Sequence, residues 1–275
     1  MEISEWTWKS FDGLDMYARG WAPQGKPKAA IILVHGLGEH VVRYDHVAAA
    51  LTKKGYAMLG FDLRGHGKSG GPRGHSPSNE AFMQDIDSML KQSEVRYPGI
   101  CQFLYGHSLG GTLVLNYILC RQPVLAGAVV TAPALRSPVL EQKIKAMLAK
   151  VLGTLLPSIT FPSGLDANML SHNPEVVDRY KQDPLVHDRG TLGLGKGQLE
   201  MIPWIFEHAR DLNIPLLLMH GTEDKISYIR GSREFAQKAG DKVTLKEWNG
   251  MYHEIHNEPE KQQVFAYMLD WLGKH

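Results

Sequence analysis

Apolar and polar positions follow two rhythms along this chain, and the change between them predicts its architecture. Over residues 3–8 and 14–21 apolar side chains tend to alternate with polar ones, and Asp12-Gly13 separates the two runs. A period of two on either side of a glycine turn predicts an antiparallel hairpin of half-buried strands. From Ala29 the alternation gives way to continuous apolar runs: Ala30-Ile31-Ile32-Leu33-Val34, then residues 56–61, 103–105, 126–130 and 215–219, with a further strand over 243–248. A strand that is apolar at every position is covered on both faces, so helices must flank it and its neighbours run parallel to it. Helical spacing predicts those helices at 45–54, 79–96, 109–120, 230–238 and 258–271. The fold class is therefore α/β: a mostly parallel twisted sheet with antiparallel N-terminal strands and helices on both faces.

The strand–helix alternation stops between residues 134 and 203, a gap of about seventy residues that far exceeds an ordinary crossover. The chain reads as one domain over 1–275 with an insertion over 134–203. Within it Leu140, Ile144, Met147, Leu148, Val151, Leu152, Leu155 and Leu156 recur at helical spacing, and Pro157 ends the run. At about 100° per residue these side chains cover about half the helical wheel. Two readings stay open: a helix packed on its own domain, or a cap that lines an apolar pocket and touches lipid.

Composition narrows the partners. With 43% hydrophobic and 21% charged residues the chain is an ordinary globular one. Its 30 basic and 29 acidic residues give a net charge of +1 without like-charge blocks, so nucleic acid is not an expected partner. The start, Met1-Glu2-Ile3-Ser4-Glu5-Trp6, lacks a basic and then apolar leader, and no run is long enough to span a membrane. A cytoplasmic protein is expected, with peripheral membrane contact through the insertion. Cys101 and Cys120 are expected to be buried as small hydrophobes, not paired.

The sharpest chemical signal is Gly106-His107-Ser108-Leu109-Gly110-Gly111, which follows one apolar strand run and opens a helical one. In such a turn glycines relieve crowding around a serine held at a strand-to-helix corner with its Oγ exposed. A serine alcohol attacks only when a base takes its proton and an acid orients that base. The apolar run at 215–219 ends in His220-Gly221-Thr222-Glu223-Asp224, which supplies Asp224 as the acid, with Glu223 as its competitor. After the strand at 243–248, a loop delivers His253 as the base. His253-Glu254-Ile255-His256 resembles a zinc motif at a glance, but its histidines are three apart in a loop, not four apart on a helix. No metal and no cofactor are expected. Donors for a developing oxyanion are the backbone N–H groups of Leu37, in Val34-His35-Gly36-Leu37-Gly38-Glu39-His40, and of Leu109 at the helix start.

Those segments, together with Asp62-Leu63-Arg64-Gly65-His66-Gly67-Lys68-Ser69 and Tyr252-His253-Glu254-Ile255-His256-Asn257-Glu258-Pro259, resemble in order the monoacylglycerol lipase and lysophospholipase group of α/β-hydrolases. The resemblance covers nearly the whole chain. It implies hydrolysis of the ester of a single-chain lipid under a mobile cap, without a cofactor. It also implies that Glu39 and His256 contact glycerol hydroxyls while Arg43 braces Glu39; a purely structural Glu39–Arg43 ion pair is the alternative. Rival activities on the same scaffold are a lysophospholipase, a general carboxylesterase and an aminopeptidase. A non-catalytic ligand-binding protein is disfavoured, because Ser108, Asp224 and His253 are all present. Oligomeric state is not legible in the sequence.

Overall fold

The computed structural model describes residues 1–138 and 151–275. Eight strands form one sheet: β1 (Glu2–Lys9), β2 (Asp15–Ala22), β3 (Ala30–Val34), β4 (Ala57–Phe61), β5 (Gln102–His107), β6 (Gly127–Thr131), β9 (Leu216–Gly221) and β10 (Val243–Trp248). Their spatial order is β1-β2-β4-β3-β5-β6-β9-β10. The β1–β2 and β2–β4 pairs are antiparallel and every later pair is parallel, as the two rhythms predict. Two further short strands, β7 (Thr160–Pro162) and β8 (Arg189–Thr191), pair as a separate antiparallel ribbon.

The continuous apolar strands have two inner faces, and both are covered. Ile32 and Val34 of β3 join a core with helices α2 (Asn79–Arg96) and α3 (Leu109–Arg121), while Ile31 and Leu33 join the opposite core with α1 (Asp45–Thr52) and the C-terminal helix (Lys261–Leu272). The α2 start is fixed by Ser78, whose side chain accepts a hydrogen bond from the Ala81 N–H at 3.1 Å. Close approach of α3 to the sheet requires glycine at 110, where a Cβ would collide with the Val34 carbonyl.

Between β6 and β9 the chain leaves the sheet. Helix α4 (Pro174–Gln182) begins with Asn173 capping the Glu175 N–H, and α5 (Leu192–Glu207) with Thr191 capping the Leu194 N–H. The sequence reading assigns neither. Gly193, Gly195, Gly197 and Pro203 read as breakers, but Leu194, Met201, Ile202, Ile205 and Phe206 pack into the core and override them. Gly197 is needed where it stands, because Asn79 Nδ2 donates to its carbonyl at 2.9 Å and a Cβ would meet the same side chain. Pro203, the expected end of the insertion, therefore lies inside a helix.

Residues 151–155 are helical and the helix ends before Pro157, as expected. The rest of the expected apolar helix, 139–150, lies outside the described residues. Helix α6 spans Ile229–Ala239, and the C-terminal helix, α7, starts at Lys261, three residues later than expected. Residues up to Pro259 are held otherwise, since the Glu258 carboxylate accepts from the Tyr252 and His172 N–H groups. Cys101 and Cys120 are exposed, not buried: Cys101 precedes β5, and Cys120 lies on the outer end of α3.

Candidate active site

Ser108 joins β5 to α3 with φ 53° and ψ −118°. Positive φ costs a side-chain-bearing residue roughly 1–3 kcal/mol, and the turn is held by the Ser108 N–H donating to the Thr131 carbonyl at 3.0 Å. A Cβ at Gly106 would lie 2.6 Å from the Gly110 carbonyl, which explains the flanking glycines. Ser108 Oγ lies 2.9 Å from His253 Nε2, and His253 Nδ1 lies 2.7 Å from Asp224 Oδ2.

Asp224 sits in the loop after β9. Its Oδ1 accepts the Ile226 and Ser227 N–H groups at 2.8 and 3.0 Å, and its Oδ2 also meets His220 Nε2 at 3.0 Å and the Ser227 hydroxyl at 3.1 Å. Burial works to raise its pKa, but His253 and His220 outweigh this and hold the carboxyl well below the usual range. Glu223 points to solvent and contributes only its backbone, donating to the Met251 carbonyl. Burial likewise works to lower the His253 pKa, and the charge and hydrogen bond of Asp224 reverse it, leaving the imidazole above its ordinary value. Of the two candidate acids, then, only Asp224 reaches the histidine.

Leu37 and Leu109 line the same cavity as Ser108, and among the described residues neither N–H donates to another protein group. Leu109 opens α3, where the positive end of the helix dipole adds to its N–H. The Leu37 loop is pinned from two sides. Glu39 Oε1 accepts the Gly36 N–H at 2.6 Å, and the Gly38 carbonyl accepts the His187 N–H at 2.9 Å from the excursion. A second tie joins His40 Nε2 to Asp183 Oδ2 at 2.8 Å. The His253 loop is tied to the excursion as well, the Glu254 N–H donating to the Leu170 carbonyl at 2.8 Å.

The polar end of the cavity is an ion cluster larger than the sequence suggested. Arg43 Nη1 donates to Glu39 Oε2 at 2.6 Å and to Glu254 Oε1 at 2.8 Å, while Nη2 donates to Glu254 Oε2 at 2.8 Å. Tyr44 donates to Glu39 at 2.8 Å and Asn257 to Glu254 at 2.7 Å. Tyr180, from α4, covers Arg43 with its ring 4.7 Å away. Burial works to raise Glu254, but Arg43 holds it well below the ordinary carboxylate range; burial, only partly offset by Arg43, leaves Glu39 above it.

His256 differs from expectation. Its ring is buried, stacks on Tyr44 at 4.9 Å and packs edge-on to His107 at 4.8 Å. It does not line the cavity, whereas Glu39, Arg43 and Glu254 do. Burial lowers its pKa to about 3. Glu254, which sequence reasoning passed over as part of a zinc look-alike, lines the cavity where His256 does not. Tyr180 and the Asp224 partners His220 and Ser227 were also missed; Tyr180 reaches the site only through the fold of the excursion, so no local pattern marks it.

The cavity has a volume of about 660 Å³, a size that takes a small organic ligand. Away from the ion cluster its walls are mainly apolar, with Phe161, Leu165, Met169, Leu194 and Leu199 among them.

The family model described as "Serine aminopeptidase, S33" matches residues 25–260. An abhydrolase domain-containing protein of Dictyostelium discoideum is 39% identical over 92% of this chain, which spans 27% of that longer protein. A monoacylglycerol lipase of Mycolicibacterium smegmatis is 35% identical, with 99% of this chain and 98% of the relative covered. Among solved structures, a Paleococcus ferrophilus monoacylglycerol lipase superposes with a TM-score of 0.85 at 36% identity, over 99% of this chain and 98% of its own.

Proposed function

This chain belongs to the serine aminopeptidase S33 family, and on that premise we propose that Ser108, His253 and Asp224 are the nucleophile, base and acid with which it hydrolyses monoacylglycerol. The protein is a carboxylic ester hydrolase of monoacylglycerol-lipase type. The supporting observation is the unbroken hydrogen bonding from Ser108 Oγ through His253 to Asp224 on the wall of a largely apolar cavity with one polar end.

As Ser108 Oγ attacks the ester carbonyl, His253 Nε2 takes its proton, and Asp224 stabilises the imidazolium through Nδ1. The carbonyl oxygen, now negative, accepts from the Leu37 and Leu109 N–H groups. Collapse breaks the bond to the glycerol oxygen, which takes the proton back from His253 and leaves an acyl-serine. Water then attacks the acyl group with His253 again as base, the bond from the acyl carbon to Ser108 Oγ breaks, Oγ takes the proton back from His253, and the fatty acid departs. Glycerol belongs at Glu39, Arg43 and Glu254, and the acyl chain along the apolar wall.

The segment over 134–203 acts in this reading as a cap. Among the described residues no helix is long and apolar enough to cross a membrane. The exposed apolar side chains of Val151, Leu152, Leu155, Leu156 and Ile159 form instead a surface suited to a lipid aggregate. A hydrolysis panel tests the reading: monooleoylglycerol should be cleaved faster than dioleoylglycerol or a simple alkyl oleate, and a fluorophosphonate should label Ser108. Labelling of another serine, or no turnover of monooleoylglycerol, would reject it.

A further inference from the structure

At the polar end of the cavity two carboxylates share one guanidinium, and we propose that the uncompensated negative charge selects the head group, admitting esters of neutral polyols and turning away esters that carry a phosphate. The inference rests on the reading above, in which the alcohol part of the ester lies beside Glu39, Arg43 and Glu254. It concerns a residue, Glu254, to which that reading assigns no discrimination.

The charge balance follows from the hydrogen bonds. Glu39 is met by the Gly36 N–H, by the Tyr44 hydroxyl and by Arg43, and Glu254 by both Arg43 nitrogens and by Asn257 Nδ2. The Tyr44 hydroxyl spends its hydrogen on Glu39 and the other donors cannot accept, so a proton on the oxygens they meet would point at another hydrogen. Two negative charges therefore surround one positive charge, and all three groups are nearly sealed from water, with side-chain exposures of 3%, 2% and 10% for Glu39, Glu254 and Arg43.

Among the described residues no neighbour restores the balance. The rings of His107 and His256 pack beside the cluster, and burial keeps both well below the ordinary histidine pKa, hence neutral. At the rim, among the described residues lining the cavity, Lys225 and Asp166 carry opposite charges and are exposed. Asp224 adds a further buried negative charge behind His253.

A site built for phosphate offers unspent N–H groups, typically an arginine fork free to grip two oxygens. Here the Arg43 fork is already closed on Glu254, and Tyr180 covers its face. A dianionic head group would meet carboxylates where it needs donors, in a region with little water to screen the repulsion. Glycerol hydroxyls meet no such penalty, since a hydroxyl donates to a carboxylate.

The test compares 1-oleoylglycerol with 1-oleoylglycerol 3-phosphate in the same detergent micelles, using the full chain. The wild-type protein should favour the neutral ester in kcat/KM by on the order of 100-fold, and Glu254→Gln, which keeps size but removes charge, should narrow that ratio roughly tenfold. Glu254→Asp, which keeps the charge, should preserve the ratio even where both rates fall. A wild-type ratio near one, or a ratio that Glu254→Gln leaves unchanged, overturns the proposal. Loss of monooleoylglycerol cleavage in the wild-type protein would instead be a failure of the underlying reading. Should Glu254→Gln not fold, the wild-type protein supplies the answer. Inhibition of p-nitrophenyl butyrate hydrolysis by 1-O-octadecylglycerol should be at least about tenfold tighter than by its 3-phosphate, and equal inhibition overturns the proposal.

Discussion

Ser108 and Asp224 stand on turns at the ends of β5 and β9, strands that are buried along almost their whole length, and each is held by backbone hydrogen bonds as well as by its side-chain partners. In the excursion, by contrast, Val151, Leu155 and Ile159 leave 56%, 71% and 48% of their surfaces in solvent. The sheet spends apolar residues on a sealed interior, which holds Ser108 and Asp224 in place; the excursion leaves some of its own on the outside. Under the proposed function, position is demanded by bond-making chemistry, and exposure by contact with a lipid aggregate. The two regions should accordingly answer differently to mutation.

The largest response belongs to the sheet side. Ser108→Ala should lower kcat by at least about 10⁴-fold, on any ester, since the other two groups cannot act alone; residual activity of a tenth would refute the assignment in a simple initial-rate assay. Asp224→Asn should follow, with a loss on the order of 10⁴-fold, while Glu223→Gln should stay within about twofold of wild type. Reversal of these two results would move the acid to Glu223.

The same pair governs the pH profile. A base must be unprotonated to act, so kcat should rise with pH through the His253 pKa, which Asp224 holds above the ordinary histidine value. Removing the Asp224 charge should shift that acid limb to lower pH. An unmoved limb in the Asp224→Asn residual activity would separate the observed ionisation from His253.

On the excursion side the response should depend on substrate. Leu155→Asp should depress hydrolysis of long-chain monoacylglycerol about tenfold while sparing p-nitrophenyl butyrate. Equal losses on both would point to a folding defect instead of a lipid-facing surface. The smallest expected effect sharpens the comparison further: Leu155→Asp should move Tm by no more than about 2 °C, because an exposed site is worth within about 0.5 kcal/mol. A larger drop would mean that the side chain is structurally committed.

Legibility in the sequence divides along the same line. Buried strands advertise themselves through unbroken apolar runs, and Ser108 and Asp224 each follow one closely, while His253 follows the mixed strand β10 and is marked by its place in the chain order, so the sheet and the meeting of these three side chains could be read from residues alone. Helix α5 could not, because its glycines and Pro203 contradict a helix that only the core enforces. Glu254 was hidden for a different reason. Its partner Arg43 is 211 positions away, and a glutamate beside a histidine carries no local mark of an ion pair. His256 shows the converse: the resemblance points to it, but its ring stacks on Tyr44, packs on His107 and does not line the cavity.

The excursion departs after β6 and returns at β9, and these strands are immediate neighbours, paired from Ala128↔Leu216 to Thr131↔Met219. The sheet thus closes its register as if nothing had been inserted, and the inserted length is free to vary without touching the strand order. What a replacement must reproduce falls into two kinds. The N–H of His187 on the Gly38 carbonyl and the Leu170 carbonyl on the Glu254 N–H are main-chain groups, which nearly any residue can supply, whereas Asp183 on His40, Tyr180 over Arg43 and the α5 side chains in the core are specific. The junction is therefore a natural graft point for roofs that keep those few side chains, and the rest of the inserted sequence can be exchanged while the machinery below it stays in register.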